Sequence, residues 1–177
     1  HVTAVELNPQ VVQAASAASP AVALLYDRPD VTLRLAEARF FLESAAERFD
    51  LIQISLLDAF AASAAGLQAL SESHLYTVEA LQTALERLRP GGFLSITRWL
   101  SPLPRDDAKL LATLVEAMNR QGGPTPGRRL AAIRHVRTVT VLAARDPLTP
   151  EQRRRIRDFA QRLRFDLVYL ADMTPDE

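Results

Sequence analysis

Alternation and periodicity divide the chain into strands and helices before any residue is asked about chemistry. Residues 2–7, Val-Thr-Ala-Val-Glu-Leu, form a β-rich run. Asn8 and Pro9 then supply an N-cap and a first helical residue, because proline lacks only an amide that the first turn leaves unpaired anyway. The spacing predicts a helix over residues 9–18. Pro20 and the run from Tyr26 to Asp30 break the pattern, and an extended apolar alternation resumes from Val31 to Leu35. Glu37 to Ala46 reads as a short helix with Phe40, Phe41 and Ala45 inward, and Phe49 to Ser55 as a nearly continuous apolar strand of the kind covered on both faces.

The second half repeats the alternation. The Ala/Ser-rich stretch from Asp58 to Ser73 is expected to be a partly helical flap. Thr77 can cap a helix with Val78, Leu81, Leu85 and Leu88 on one face, ended by Arg89-Pro-Gly-Gly, and Phe93 to Trp99 follows as a strand. Residues 105–120 make an amphipathic helix with Leu110, Leu111, Leu114, Val115 and Met118 inward. Residues 129–135 and 138–144 read as two strands of a hairpin. Thr149 and Gln152 have capping-box spacing before a helix that turns Ile156, Phe159, Ala160 and Leu163 to one side, and Phe165 to Leu170 is a final strand. Strands alternating with helices, then an antiparallel pair, predict an α/β three-layer sandwich with a mostly parallel sheet and a C-terminal antiparallel hairpin.

Composition narrows the function classes. A length of 177 residues suits one domain, so residues 1–177 are expected to form a single unit. Lys+Arg and Asp+Glu both number 21, which gives no overall field towards nucleic acid or an anionic membrane. The balance is uneven, with 6 basic and 11 acidic side chains in residues 1–97 against 15 and 10 in the remainder. All the basic residues except Lys109 are arginine, and alanine is abundant, which suggests a GC-rich bacterial source. Without cysteine, thiol and disulfide chemistry is excluded, and His1, His74 and His135 have no metal-ligand spacing, so no metal is expected. No run of about 18 apolar residues is present to span a bilayer. The arginine-rich helix beginning at Arg153 divides into an apolar and a charged face, which fits a solvated surface better than nucleic-acid contact.

Candidate chemistry gathers at strand ends. In a doubly wound sheet ligands sit beyond the carboxyl ends of the strands, where an acidic side chain can accept from ribose hydroxyls. Glu6 occupies such an end, and Glu37 follows the next strand at the same edge, where an adenine amino group could be met. His74 and Tyr76 lie beside the flap and are candidates for the substrate side of a pocket.

The segments VTAVELNP, LAEARFFL, RFDLIQISLLDA and LYTVEALQTALERLRPGGFLSITRW occur in an order and spacing that resemble class I S-adenosylmethionine-dependent methyltransferases, specifically the spermidine synthase branch. The likeness covers roughly residues 1–100. It extends to a bacterial group of spermidine-synthase-like proteins, some of them attached to membrane domains. The resemblance implies a Rossmann-like fold and S-adenosylmethionine, or its decarboxylated form, as cofactor. Glu6 with Leu7 would hold the ribose, Glu37 with Ala38 would border the adenine, and Ser55 and Leu56 would line the pocket. Asp58 would stand as the catalytic candidate and, with His74 and Tyr76, face the substrate.

Three departures qualify that picture. Spermidine synthases carry an acidic pair, Asp-x-x-Asp-Pro, where this chain reads Ser55, Leu56, Leu57, Asp58 and Ala59. A neutral hydroxyl is too weak a base to deprotonate an amine nucleophile unaided. Ala80 and Leu81 stand where that family places aromatic side chains near the polyamine. The six glycines, Gly66, Gly91, Gly92, Gly122, Gly123 and Gly127, form no Gly-rich phosphate-type turn, so the family's first strand and its turn are expected to lie before residue 1. Such a gap in a sheet leaves unpaired inner edges that Phe165 to Leu170, an exchanged strand from a second copy or another polypeptide could fill, and a homodimer is the expected way to cover the apolar surface. The sequence therefore predicts an S-adenosylmethionine-dependent transferase of small molecules, methyl transfer being favoured over aminopropyl transfer, in a cytoplasmic protein or the cytoplasmic domain of a membrane protein. A non-catalytic module that keeps the fold for assembly is the rival expectation.

Overall fold

A computed structural model describes residues 1–56, 74–100, 105–123 and 125–173, which divide into two compact units, His1–Ala46 and Glu47–Glu177. The first unit holds two parallel strands, β1 (Val2–Glu6) and β2 (Val31–Leu35), paired in register from Val2 with Val31 to Glu6 with Leu35. Between them run two helices, α1 (Pro9–Ala18) and α2 (Pro20–Tyr26). Asn8 caps α1 by accepting from the Gln10 amide at 2.9 Å. Pro20, read from the sequence as a break, instead opens α2: at the first helical position its missing amide costs nothing and its fixed φ favours the helix.

The short helix α3 (Ala38–Ser44) follows β2 and is capped by Glu37, which the sequence pattern places inside the helix. Its inward face differs from the expected one. Phe40 is 65% exposed, whereas Leu42 and Ala45 are buried. A helical turn places Phe40 and Leu42 some 200° apart about the axis, so one face cannot take both.

The second unit is built on a five-stranded sheet in the order β3-β4-β6-β5-β7. These strands are β3 (Phe49–Ser55), β4 (Leu88–Trp99), β5 (Leu130–His135), β6 (Thr138–Ala144) and β7 (Asp166–Leu170). β3 and β4 are parallel, β4 and β6 antiparallel, and β5 is antiparallel to both β6 and β7. The helices are α4 (Val78–Glu86), α5 (Arg105–Gln121) and α6 (Pro150–Leu163). The expected α/β class is thus present, with the parallel pairs β1-β2 and β3-β4 and the hairpin β5-β6 where the pattern placed them.

Burial in this unit centres on Leu81, Leu85, Leu88, Leu94, Ile96, Leu114, Met118 and Val141, all below 2% exposed. Thr77 caps α4 by accepting from the Ala80 amide at 3.2 Å. The Arg89-Pro-Gly-Gly run, expected to lie between helix and strand, belongs to β4 itself: Phe49 pairs with Leu88 and Leu51 with Phe93, so the intervening residues bulge out of the ladder. Gly91 enables this with φ of 76°. The capping box at the start of α6 is complete, with Thr149 and Gln152 exchanging amide bonds of 2.8 and 3.2 Å. Of the four residues expected inward on α6, Ala160 is buried and Ile156 packs on the cluster formed by Ala131, Ala144, Leu148 and Leu170. Phe159 and Leu163 remain 39% and 45% exposed, Phe159 lying edge-on to Phe165 with ring centroids 5.8 Å apart. β7 joins the sheet at its outer margin beside β5, so this strand does not fill a central position.

Candidate functional site

In the first unit, the parallel β1-β2 pair sets the candidate residues. Register places Glu6 opposite Leu35, and the Ala36 amide donates to the Glu6 carbonyl at 3.0 Å, carrying the ladder one step past the strand ends. Both acidic residues leave their strands at this carboxyl edge. Glu6 Oε1 accepts from the Asn8 amide at 2.8 Å, which folds the carboxylate back over the start of α1. Glu37 spends both oxygens on the first turn of α3, accepting from Arg39 N at 3.0 Å and Phe40 N at 2.8 Å. A carboxylate has about four lone-pair directions, so each retains acceptor capacity beyond these contacts. Glu6, Glu37 and Ala38 are half-buried and Leu7 is 54% exposed, an arrangement open to a ligand.

In the second unit, β3 ends at Ser55, opposite Thr97. Leu56 then turns with φ of 48°, in the left-handed region that a leucine enters at a cost of about 1–2 kcal/mol. It is held there by its amide, which donates to Thr97 O at 2.9 Å. Strain of this kind recurs where a chain must turn sharply beside a ligand. The Ser55 hydroxyl accepts from Gln53 Nε2 at 2.8 Å, two residues back on the same face. The His74–Tyr76 turn reaches the same strand end through Tyr76, whose ring lies 4.8 Å from the guanidinium carbon of Arg98. His74 is exposed.

The structure thus brings Glu6, Leu7, Glu37 and Ala38 to one edge, and Ser55, Leu56 and Tyr76 to another. Asp58 and the flap lie outside the described residues. Ala80 and Leu81 are core residues, 4% and 0% exposed. Neither Arg98 stacking on Tyr76 nor the 2.9 Å contact between the hydroxyls of Thr97 and Thr140 was legible in the sequence, because both join segments distant in the chain. Among the described residues no group of three or more His, Cys, Asp or Glu gathers as a metal cluster. Among the same residues no helix is long and apolar enough to cross a membrane.

No protein-family model matches the sequence, and no curated protein sequence matches it. Solved structures do resemble the fold. A spermidine synthase in complex with the transition state analogue AdoDATO superposes with a TM-score of 0.56 at 19% identity, covering 86% of this chain and 50% of that one. Spermidine synthase from Thermotoga maritima gives 0.55 at 14% identity, over 98% of this chain and 56% of the other. A probable spermidine synthase from Corynebacterium glutamicum gives 0.54 at 20%, over 81% and 47%. The chain spans about half the length of these proteins. The fold of the chain is thus an α/β fold similar to that of these spermidine synthases.

Proposed function

We propose that this chain is part of an S-adenosylmethionine-dependent transferase and that its first unit holds the adenosyl group. The observation that carries the reading is the register of β1 and β2, which ends β1 at Glu6 opposite Leu35 and leaves Glu37 two residues further on, at the same carboxyl edge of adjacent parallel strands. That is the edge where open α/β sheets receive nucleosides. Glu6 would accept from the ribose hydroxyls with its remaining lone pairs. Glu37 and Ala38 would border the adenine, and Leu7 would offer apolar cover. Ser55 and Leu56 would line the cofactor pocket, and Asp58, His74 and Tyr76 are the candidates for the substrate, with Asp58 as the catalytic candidate.

Methyl transfer is the favoured reaction. A sulfonium already activates its methyl group, so alignment of donor and acceptor supplies most of the catalysis and few dedicated side chains are required. Aminopropyl transfer needs a base for an amine nucleophile, and the strand end offers the neutral Ser55 there. The reading includes a second copy of the chain as partner, supported by exposed Val2, Leu7, Leu24 and Leu35 in the first unit.

Calorimetric titration with S-adenosylmethionine and with its thioether product tests the proposal. Saturable binding is expected, and Glu6→Gln should weaken it by roughly 10- to 100-fold, the effect of removing charge-assisted hydrogen bonds worth about 1.5–3 kcal/mol. Glutamine keeps an acceptor for the Asn8 amide, so the fold is preserved while the charge is lost. Absence of heat with either compound, or equal affinity in the variant, would overturn the assignment.

A further inference from the structure

The second unit carries another concavity, at the end of the sheet away from Ser55. A cleft of about 540 Å³ is lined by four arginines, Arg48, Arg120, Arg129 and Arg145, with the carboxylates of Glu86 and Asp146 at its margin. All belong to the amino ends of β3 and β4 or to segments that meet them there. Arg48 precedes Phe49, Arg145 follows Ala144, and Ala144 pairs with Phe93. The strand rise puts this cleft about 20 Å from Ser55.

Arg129 is the informative residue. It is 3% exposed, and its only bond among the described residues runs from Nε to the Ala144 carbonyl at 3.0 Å. Its two terminal nitrogens meet no hydrogen-bond or ion-pair partner among those residues, although the side chain lines the cleft. The terminal nitrogens keep contact with solvent where the side chain lines the cleft, so their donors are available to a ligand that enters it. Burial pushes the Arg129 pKa down, the Asp146 carboxylate opposes that, and the Arg145 charge adds to it.

The neighbouring groups are set for a shared ligand. Arg48 and Arg145 each turn one terminal nitrogen, Nη1, to the carbonyls of Glu86 and Leu88, which gathers the two cations and leaves their other donors unused among the described residues. The same bonds cover the carbonyls of Glu86, at the end of α4, and Leu88, at the start of β4, that would otherwise repel an anion. The remaining lining groups are occupied. Gln121 Nε2 donates to the Gln82 carbonyl at 3.2 Å, Gln82 Nε2 to Glu86 Oε1 at 3.1 Å, and the Gly91 amide to Asp146 Oδ2 at 2.7 Å. Arg120 is held by Glu116 and Glu79 at 2.8 and 3.0 Å.

We propose that this cleft binds the phosphoryl group of a small phosphorylated molecule, held by Arg129 from below and by Arg48 and Arg145 from the rim. Donors arriving from three residues suit a tetrahedral oxyanion, whereas a planar carboxylate is matched by a single guanidinium fork. The volume exceeds what an inorganic ion fills, leaving room for the organic part of the ligand.

Titration calorimetry with inorganic phosphate tests this, with ionic strength held constant by chloride and acetate as the planar comparison. Saturable phosphate binding stronger than acetate binding is expected. Arg129→Lys, which keeps the charge but loses the fork, should weaken phosphate at least tenfold. Arg48→Gln combined with Arg145→Gln should do the same and spares the buried position, so it decides the matter if the lysine variant does not fold. Non-saturating heats, acetate affinity equal to phosphate affinity, or full affinity in the double variant would overturn the proposal.

Discussion

At Gly92 the backbones of β3 and β4 come too close for a side chain. A Cβ there would lie 2.9 Å from the Arg89 carbonyl oxygen, 3.0 Å from that of Phe49 and 3.1 Å from that of Asp50. Those atoms cannot withdraw without parting the strands. Gly92→Ala is expected to destabilise the fold by about 1–3 kcal/mol, the usual range for forced overpacking, seen as a lower urea midpoint; an unchanged midpoint would mean that the bulge opens freely. Leu56 presents the opposite case. With φ of 48° it pays for a conformation that glycine adopts without strain. Leu56→Gly should relieve about 1–2 kcal/mol of strain and lose a similar amount to chain entropy and missing contacts, leaving the midpoint nearly still. A large drop would show that the Leu56 side chain, 39% exposed, is held by packing instead.

At the scale of elements, termini are where short-range chemistry decides. Thr149→Ala removes one half of the α6 capping box and should cost about 1 kcal/mol by denaturant titration; no loss would assign the helix start to Pro150 alone. The turn after β7 is tied to α6 through Asp172, whose carboxylate meets Arg157 and Arg153 at 2.8 Å each. The hydrogen bond from Arg157 is the main cause holding this carboxyl below its ordinary value of 3.8. Because the folded value is the lower one, the tie is complete above the ordinary value and fades as the pH falls through the folded one. A carboxyl NMR titration of Asp172 should give a midpoint below 3.8, and a midpoint above it would contradict the pairing. The same local chemistry explains what could be read from sequence. Asn8, Thr77 and Thr149 mark helix starts through side-chain caps that need only neighbouring residues. Pro20 and the Arg89-Pro-Gly-Gly run were misread because the same residues serve a break, a helix start or a bulge, and strand pairing decides among them. Glu6 and Glu37 were legible as strand ends; the αL turn at Leu56 and the arginine cleft were not, since each is made by segments far apart in the chain.

For the whole molecule, burial is unequal. Of the buried apolar residues among those described, only Leu42 and Ala45 belong to His1–Ala46, and the others belong to Glu47–Glu177. Local opening is easiest where few apolar contacts must be broken. Amides of β1 and β2 should therefore exchange with deuterium well before those of Leu94, Ile96 and Val141, and saturating S-adenosylmethionine should slow the former by mass action. Equal protection in both units without ligand would refute this. The five-stranded sheet also has unlike borders. At β7 the pairing skips a residue, with Ala132 opposite Tyr169 and Ile133 opposite Leu167, so Val168 projects from a kinked margin that is hard to copy. The other border is β3, which carries Leu51 at 53% exposure and has no skipped residue of its own from Leu51 to Ser55. Of the two borders of this five-stranded sheet the one without a skipped residue is the better template for a foreign strand, so a lysine at Leu51 should keep concentrated solutions clear while one at Val168 changes little.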